Sequence, residues 1–303
     1  MDLPVMYNYI NSANSQISPS TIHASNTYMA WYFRRYLLQR AMSVFKWTAP
    51  EWWNMDYFRY VLYCFGYISI INTAEYGVIP QLCTLTGFNV FYAPTNAIIA
   101  NPKLQGITQP VIDEQCTVIK LQPDYGGILD MVYYYADQLA LYAEAAAMNV
   151  QNSKLGYVVG VRSKGMAEAV KKAFDMIMSG EALAVYDKSA RDDDTGSLFE
   201  TFTQNLKENF IAPDILESMR RVENEFCTRV GINNTNTDKK ARMSTDEVNA
   251  NNEETRSLAD LWLESLKDGC KKTREMFQIT DFDVEWRYPN EGSNTVNSGA
   301  LLL

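Results

Sequence analysis

The sequence predicts a mainly α fold with α+β parts, and three observations carry that expectation. Residues 128–151 contain neither glycine nor proline. Residues 27–47, 213–230 and 254–277 repeat their apolar side chains at three- and four-residue spacing, the mark of amphipathic helices. Residues 67–121 break instead into short β-branched and aromatic runs punctuated by proline and asparagine. At 303 residues, 47% of them hydrophobic, the chain can fill the core of one elongated or two compact domains.

Residues 1–26 are rich in Asn, Ser, Tyr and Pro without a helical period, which predicts a flexible N-terminal arm. From 27 to 47, Met29, Trp31, Tyr32, Tyr36, Leu37, Ala41, Val44 and Phe45 form the apolar face of a helix. Its other face carries Arg34, Arg35 and Arg40, which belong either to a solvated surface or, with their aromatic neighbours, to a subunit interface. After Pro50 a second helix is marked by Trp52, Trp53, Tyr57, Phe58, Val61, Leu62 and Phe65, with Gly66 as its stop. Strands are expected at 88–92 and 117–121, so that 27–126 becomes a mixed α and β outer region.

A helix of more than six turns is expected over 127–152, after Gly126-Gly127. Its only charges are Asp130, Asp137 and Glu144, seven apart, and no lysine or arginine occurs between Lys120 and Lys154. Seven residues is almost two turns, so the carboxylates form one slowly drifting acidic line on an otherwise apolar cylinder. Such a helix needs neighbours on most sides and water along the remaining one. A ring of helices around an aqueous channel meets both demands, and so does a bundle helix with one exposed edge.

Residues 153–211 predict a small α/β lobe: strands at 157–161 and 182–186, a helix at 165–178 and a further strand at 198–202. Asp192-Asp193-Asp194 is read as a solvated loop, since consecutive carboxylates converge poorly on one ion. A returning helix, 212–230, has Pro213 in its first turn and Gly231 as its cap. Residues 231–255, almost devoid of large apolar side chains and centred on 238–247 with Lys239, Lys240 and Arg242, read as either a functional loop or a disordered linker. A short helix and strand are expected over 256–288 and a disordered tail over 289–303.

Composition excludes several function classes. A net charge of −9 does not fit a conventional nucleic-acid binder, which concentrates cations against phosphates. It fits a conduit that surrounds DNA without gripping it. His23 is the only histidine, and no phosphate loop, dinucleotide fingerprint or nucleophile elbow occurs, so neither an enzyme nor a cofactor is expected. The five scattered cysteines contain no C-x-x-C pair and read as reduced packing residues, implying assembly in a cytosol. No signal peptide is expected from Met1-Asp2-Leu3-Pro4, and the longest apolar stretch, 60–71, is too short to span a membrane.

The run VENEFCTRVGINNTNTDKKARMSTDEVNANNE, 222–253, resembles the channel-loop region of the portal protein, also called upper collar or head–tail connector, of small short-tailed phages of the Bacillus type. Phe45-Lys46-Trp47 followed by Phe65-Gly66-Tyr67 resembles the start of that family's wing. Met148-Asn149-Val150-Gln151-Asn152 resembles the end of its first channel helix, and the resemblance extends over roughly 25–288. It implies the portal fold: a wing at 27–126, stem helices at 127–152 and 212–230, and a clip at 153–211. It further implies a channel loop at 231–255 and crown-side elements at 256–288. The implied assembly is a dodecameric ring at the portal vertex of the virion, carrying double-stranded DNA in and out. Its partners would be the major capsid protein, a packaging ATPase and a tail or lower collar protein, with no membrane.

Lys239 and Lys240 match the family's paired loop lysines, so that with Arg242 they would touch phosphates without reading sequence. Lys207 would form a weaker basic ring, and Asp130, Asp137 and Glu144 an electronegative lining. One departure stands out: residues 1–33 hold no lysine or arginine, which argues against the packaging RNA that the family's basic arm engages. The competing class is a ring or shell oligomer, structural or pore-forming, that does not act on DNA.

Overall fold

The computed structural model describes residues 23–104, 106–153, 157–161, 164, 165, 167, 168, 171, 172, 175, 199–203, 210–232 and 245–288, the backbone alone over 157–161, 199–203 and 245–256. Two compact units divide the chain, Met1–Leu141 with Met219–Leu303, and Tyr142–Ser218.

In the first unit, α1 (Thr27–Met42) starts where the Asn26 side chain accepts the Met29 N–H at 3.1 Å. It buries Ala30, Phe33, Leu37 and Ala41 and leaves Tyr28, Trp31 and Tyr32 exposed. The helix ends before the expected Trp47, because Phe45–Thr48 is a strand, β1, paired antiparallel with β10 (Asp283–Trp286). Lys46 meets Glu285 there across 239 positions of sequence, a partner that no local period reveals. The second helix, α2 (Met55–Phe65), is capped by Asn54 and stops at Gly66, whose φ of 88° is left-handed. A Cβ on Gly66 would lie 2.3 Å from the Gly126 backbone carbon, and one on Gly127 2.3 Å from the Cys64 carbonyl oxygen. The Gly126-Gly127 pair therefore serves a close passage of two chain segments as well as the start of a helix.

Strands β2 (Tyr67–Thr73), β3 (Gly77–Gln81) and β7 (Cys116–Lys120) form one antiparallel sheet in the order β3-β2-β7. A second sheet joins β4 (Thr84–Thr86), β5 (Asn96–Asn101) and β6 (Gly106–Thr108). Residues 88–92, expected as a strand, form a loop instead. The Asn89 side chain accepts the N–H groups of Phe91 and Ala93 at 2.9 and 3.0 Å, so local side-chain bonding outweighs β propensity.

The long helix is α3 (Leu129–Asn152), as the unbroken run requires, and it contributes to both units, as does α4 (Ala212–Arg229). In the second unit β8 (Tyr157–Val161) pairs antiparallel with β9 (Phe199–Thr203), matching two of the expected lobe strands; residues 182–186 and 192–194 lie outside the described residues. Past α4, Gly231 adopts a φ of 82°, and a Cβ there would meet the Ala259 Cβ at 2.5 Å. The last helix, α5 (Thr245–Phe277), begins well before the expected Glu254, so part of the segment read as loop is helical.

The second half of α5 packs on β7 and β10. Thr117 and Thr273 share a buried hydroxyl–hydroxyl bond of 2.8 Å, and Ser265 donates to the Lys120 carbonyl at 3.1 Å. Below it, Trp47, Trp53, Phe58 and Phe282 form an aromatic cluster with ring centroids 4.8 to 6.0 Å apart. All five cysteines are free and buried, the packing role expected of them, and burial pushes the Cys83 thiol up to about 12. The architecture is thus a mixed α/β fold in which the described helices outweigh the strands.

Phe282 is fully buried where β1, α2 and β10 converge. Replacing it with alanine should cost about 3–5 kcal/mol by urea denaturation. A loss below about 1 kcal/mol would show that the cluster is not the core of this unit.

Candidate functional site

Because α3 carries no cation, its buried carboxylate must be neutralised from elsewhere in the chain. Asp137 is 1% exposed. It accepts a hydrogen bond from Arg34 Nη2 of α1 at 3.0 Å, and His23 Nδ1 stands 2.8 Å from its other oxygen. The same guanidinium lies over the Tyr133 ring, 4.2 Å from its centroid. Asp137 was expected on an aqueous line with Asp130 and Glu144, and the structure gives it a different environment: buried and paired within its own chain. The physical reason is that a carboxylate this deep is tolerated only with a charged partner, which α1 supplies from 103 positions away.

The other two acids are half-buried. Asp130 sits in the first turn of α3, where its Oδ1 accepts the Met131 N–H at 2.7 Å. Burial nevertheless raises its carboxyl above the ordinary value, against the lowering effect of that hydrogen bond. Glu144 belongs to the second unit.

Two groups of contacts tie α1 and α3 to α4 within the first unit. Tyr36 Oη of α1 donates to Glu223 Oε1 of α4 at 2.6 Å, and Arg40 pairs with that same carboxylate oxygen. Burial first, then the Glu223 carboxylate, raises the Tyr36 phenol. Tyr135 of α3 donates to Glu225 Oε1 of α4 at 2.9 Å and meets Phe226 edge-on, ring centroids 5.6 Å apart. Arg229 closes that group onto Glu225 at 3.0 Å. In the second unit Asn149 Oδ1 of α3 accepts the N–H groups of Ile211 and Ala212, each at 3.0 Å, where α4 begins and its donors lack helical partners.

Arg34 and Arg40, expected on a solvated or interface surface, therefore hold α1 to α3 and α4, while Arg35 is exposed. Sequence reasoning missed Tyr36, Tyr135, Glu223 and Glu225. The available signal was the mismatch itself: a helix with acids and no base, and another with bases and no acid, call for each other. Lys239, Lys240, Arg242 and Lys207 lie outside the described residues. Among the described residues no group of three or more His, Cys, Asp or Glu side chains is arranged to hold a metal ion, and no helix is long and apolar enough to cross a membrane.

The chain matches the family described as Phage Connector (GP10) over residues 8–288, and it belongs to that family. It also aligns with a chain in the portal and tail of native bacteriophage P68, at 15% identity and a TM-score of 0.44, over 96% of this chain and 94% of that one. A chain in the virion of a native gene transfer agent particle aligns at 8% identity and a TM-score of 0.39, over 94% and 90%. The class rests on the family match alone. The protein is a phage head–tail connector, a portal component of the virion that serves DNA packaging.

Two measurements check this site. In a double-mutant cycle, Arg34→Ala and Asp137→Ala should show a coupling of about 1–3 kcal/mol, moderated because Arg34 is 30% exposed; independent effects would refute the joint. For Asp130 the folded carboxyl lies above its unfolded value, so its contribution is favourable in acid and is lost as pH rises through the folded value. Asp130→Asn keeps the acceptor for Met131, and should raise the urea midpoint above about pH 5 with no gain below about pH 4. A gain confined to acid would contradict the burial cost.

Proposed function

We propose that copies of this chain stand in a ring around double-stranded DNA as the upper collar of a short-tailed phage of the Bacillus type. Twelve copies are the number the resemblance implies. In this reading 27–126 is the wing against the major capsid protein, and 1–26 and 289–303 are its arm and tail. Helices 127–152 and 212–230 are the stem, and 256–288 lies on the crown side. The lobe 153–211 is the clip, which meets a packaging ATPase during filling and a tail or lower collar protein afterwards. The lack of lysine and arginine in residues 1–33 argues against a packaging RNA as a partner.

The observation that carries the reading is α3. Over its whole length it presents no positive charge to a phosphate backbone, while Asp130 and Glu144 are half-buried rather than enclosed. A wall of such helices repels DNA weakly and evenly, so the duplex slides rather than sticks. Asp137 contributes to this wall indirectly, by holding α1 against α3 through Arg34. Grip, where it is needed, falls to Lys239, Lys240 and Arg242 in the loop 231–255, with Lys207 as a second basic ring. Those contacts address phosphates and are independent of base sequence.

Replacing both Lys239 and Lys240 with alanine should leave ring assembly intact and impair retention of packaged DNA. Negative-stain images and a nuclease-protection assay on filled heads read the two effects separately. Full retention in the double variant would remove the loop lysines from the mechanism.

A further inference from the structure

We infer that the exposed face of α1, Tyr28–Trp31–Tyr32–Arg35, docks on the exposed face of α5, Ser257–Asp260–Leu261–Glu264, of a second copy of this chain. The inference rests on the ring reading above and adds to it the pair of surfaces that joins neighbours. A closed ring of more than two identical chains needs two different patches on each chain, because each copy meets its neighbours head to tail. The two patches must also be complementary.

The α1 patch is unusual for this protein. Its helix carries three arginines and no acid in a chain of net charge −9. Arg34 and Arg40 are paired inward, which leaves Arg35 exposed with no ion-pair partner among the described residues. Around it, at helical spacing, Tyr28, Trp31 and Tyr32 are 86%, 56% and 60% exposed, on the side opposite the buried Ala30, Phe33 and Leu37. Tryptophan, tyrosine and arginine together are the side chains over-represented at the energetic centres of protein interfaces. Left in water, this stripe would expose three large rings on two turns of helix.

The α5 patch has the opposite character. Of the six acids that the sequence places in 245–264, Asp260 and Glu264 have described side chains, and both are exposed. Ser257, Asp260, Leu261 and Glu264 are exposed at the same i, i+3, i+4, i+7 spacing, with Leu258 37% and Leu261 43% exposed beside them. Glu264 has no ion-pair partner among the described residues. Leu261 and Glu264 also border a groove of about 730 Å³ whose lining mixes the cations Lys120, Lys267, Lys271 and Arg274 with the acids Asp268 and Asp283. Charge complementarity at the exposed Asp260 and Glu264, the part of α5 that precedes its lysines, therefore selects another copy as the occupant: the cationic aromatic stripe of one chain meets this leucine-bearing end of the next, with Arg35 facing Glu264.

The test uses full-length protein with three variants, Arg35→Glu, Glu264→Arg and the two combined, scored as the fraction of particles that are rings by native mass spectrometry and negative stain. Circular dichroism verifies that each variant is folded, and all substitutions are at exposed positions. Each single reversal should reduce the ring fraction by roughly tenfold, and the combined reversal should restore most of it. Single variants that assemble like the native chain would overturn this contact while the native rings uphold the connector reading. Single variants that fail without recovery in the double would also overturn the pairing. Native protein that forms no rings would sink the ring reading itself, and this inference with it.

Discussion

The constraint on which the rest of this structure depends is a helix that contains carboxylates and no base. A buried acid cannot be left uncompensated, because the cost of an unpaired charge in the interior runs to several kcal/mol, comparable to the stability of a whole domain. Asp137 on α3 therefore fixes where α1 lies, since Arg34 is the cation that reaches it. Once α1 is placed, Tyr36 and Arg40 are carried to Glu223, and α4 is held from a second side. Tyr135 with Glu225 and Phe226 closes the triangle from α3 directly. Three helices distant in sequence become one joint because each brings a group the others lack.

That joint was only half legible in the sequence. The helices themselves were readable: Gly66 and Gly231 as stops, Pro213 as a start, and the unbroken run that becomes α3. Their boundaries and partners were less so. Helix α1 was expected to continue through Phe45-Lys46-Trp47, whose apolar spacing fits a helix as well as a strand; pairing with β10 at the far end of the chain decides between them. At 88–92 the opposite error arises, where β-forming residues are bent into a loop by Asn89. The acidic line at 130, 137 and 144 was visible as a spacing, but spacing along one helix cannot say which members face protein. Only the long-range partner of Asp137 distinguishes it from its neighbours.

The start of α5 shows a different limit. Residues 245–256 contain three asparagines and a single large apolar residue, Val248, so neither propensity nor amphipathic period predicts a helix there. Ser244-Thr245-Asp246-Glu247 nevertheless has the S-x-x-E pattern of a helix start, with acids where the N-terminal dipole favours them. The strongly amphipathic second half, anchored by Trp262, Leu266 and the Thr117–Thr273 bond, lets the helix extend backwards through poor formers at little further cost per residue. With so few apolar side chains, this start of α5 carries no amphipathic period for a sequence reading to find.

Copy number changes how these charges should be weighed. In a ring every side chain is repeated around the axis, so a carboxylate tolerable in one chain becomes a circle of like charges whose mutual repulsion grows with each added subunit. Neutralising Asp137 inside each chain removes one such circle altogether, and the raised carboxyl of Asp130 weakens another without removing it. In the proposed ring, what is left would be a wall negative enough to keep phosphates from settling and mild enough to let the helices stand close together. If α3 lines the proposed channel, a lysine on each copy, harmless in a monomer, would form a belt that holds a duplex by counterion release at every step of its passage, and α3 carries none.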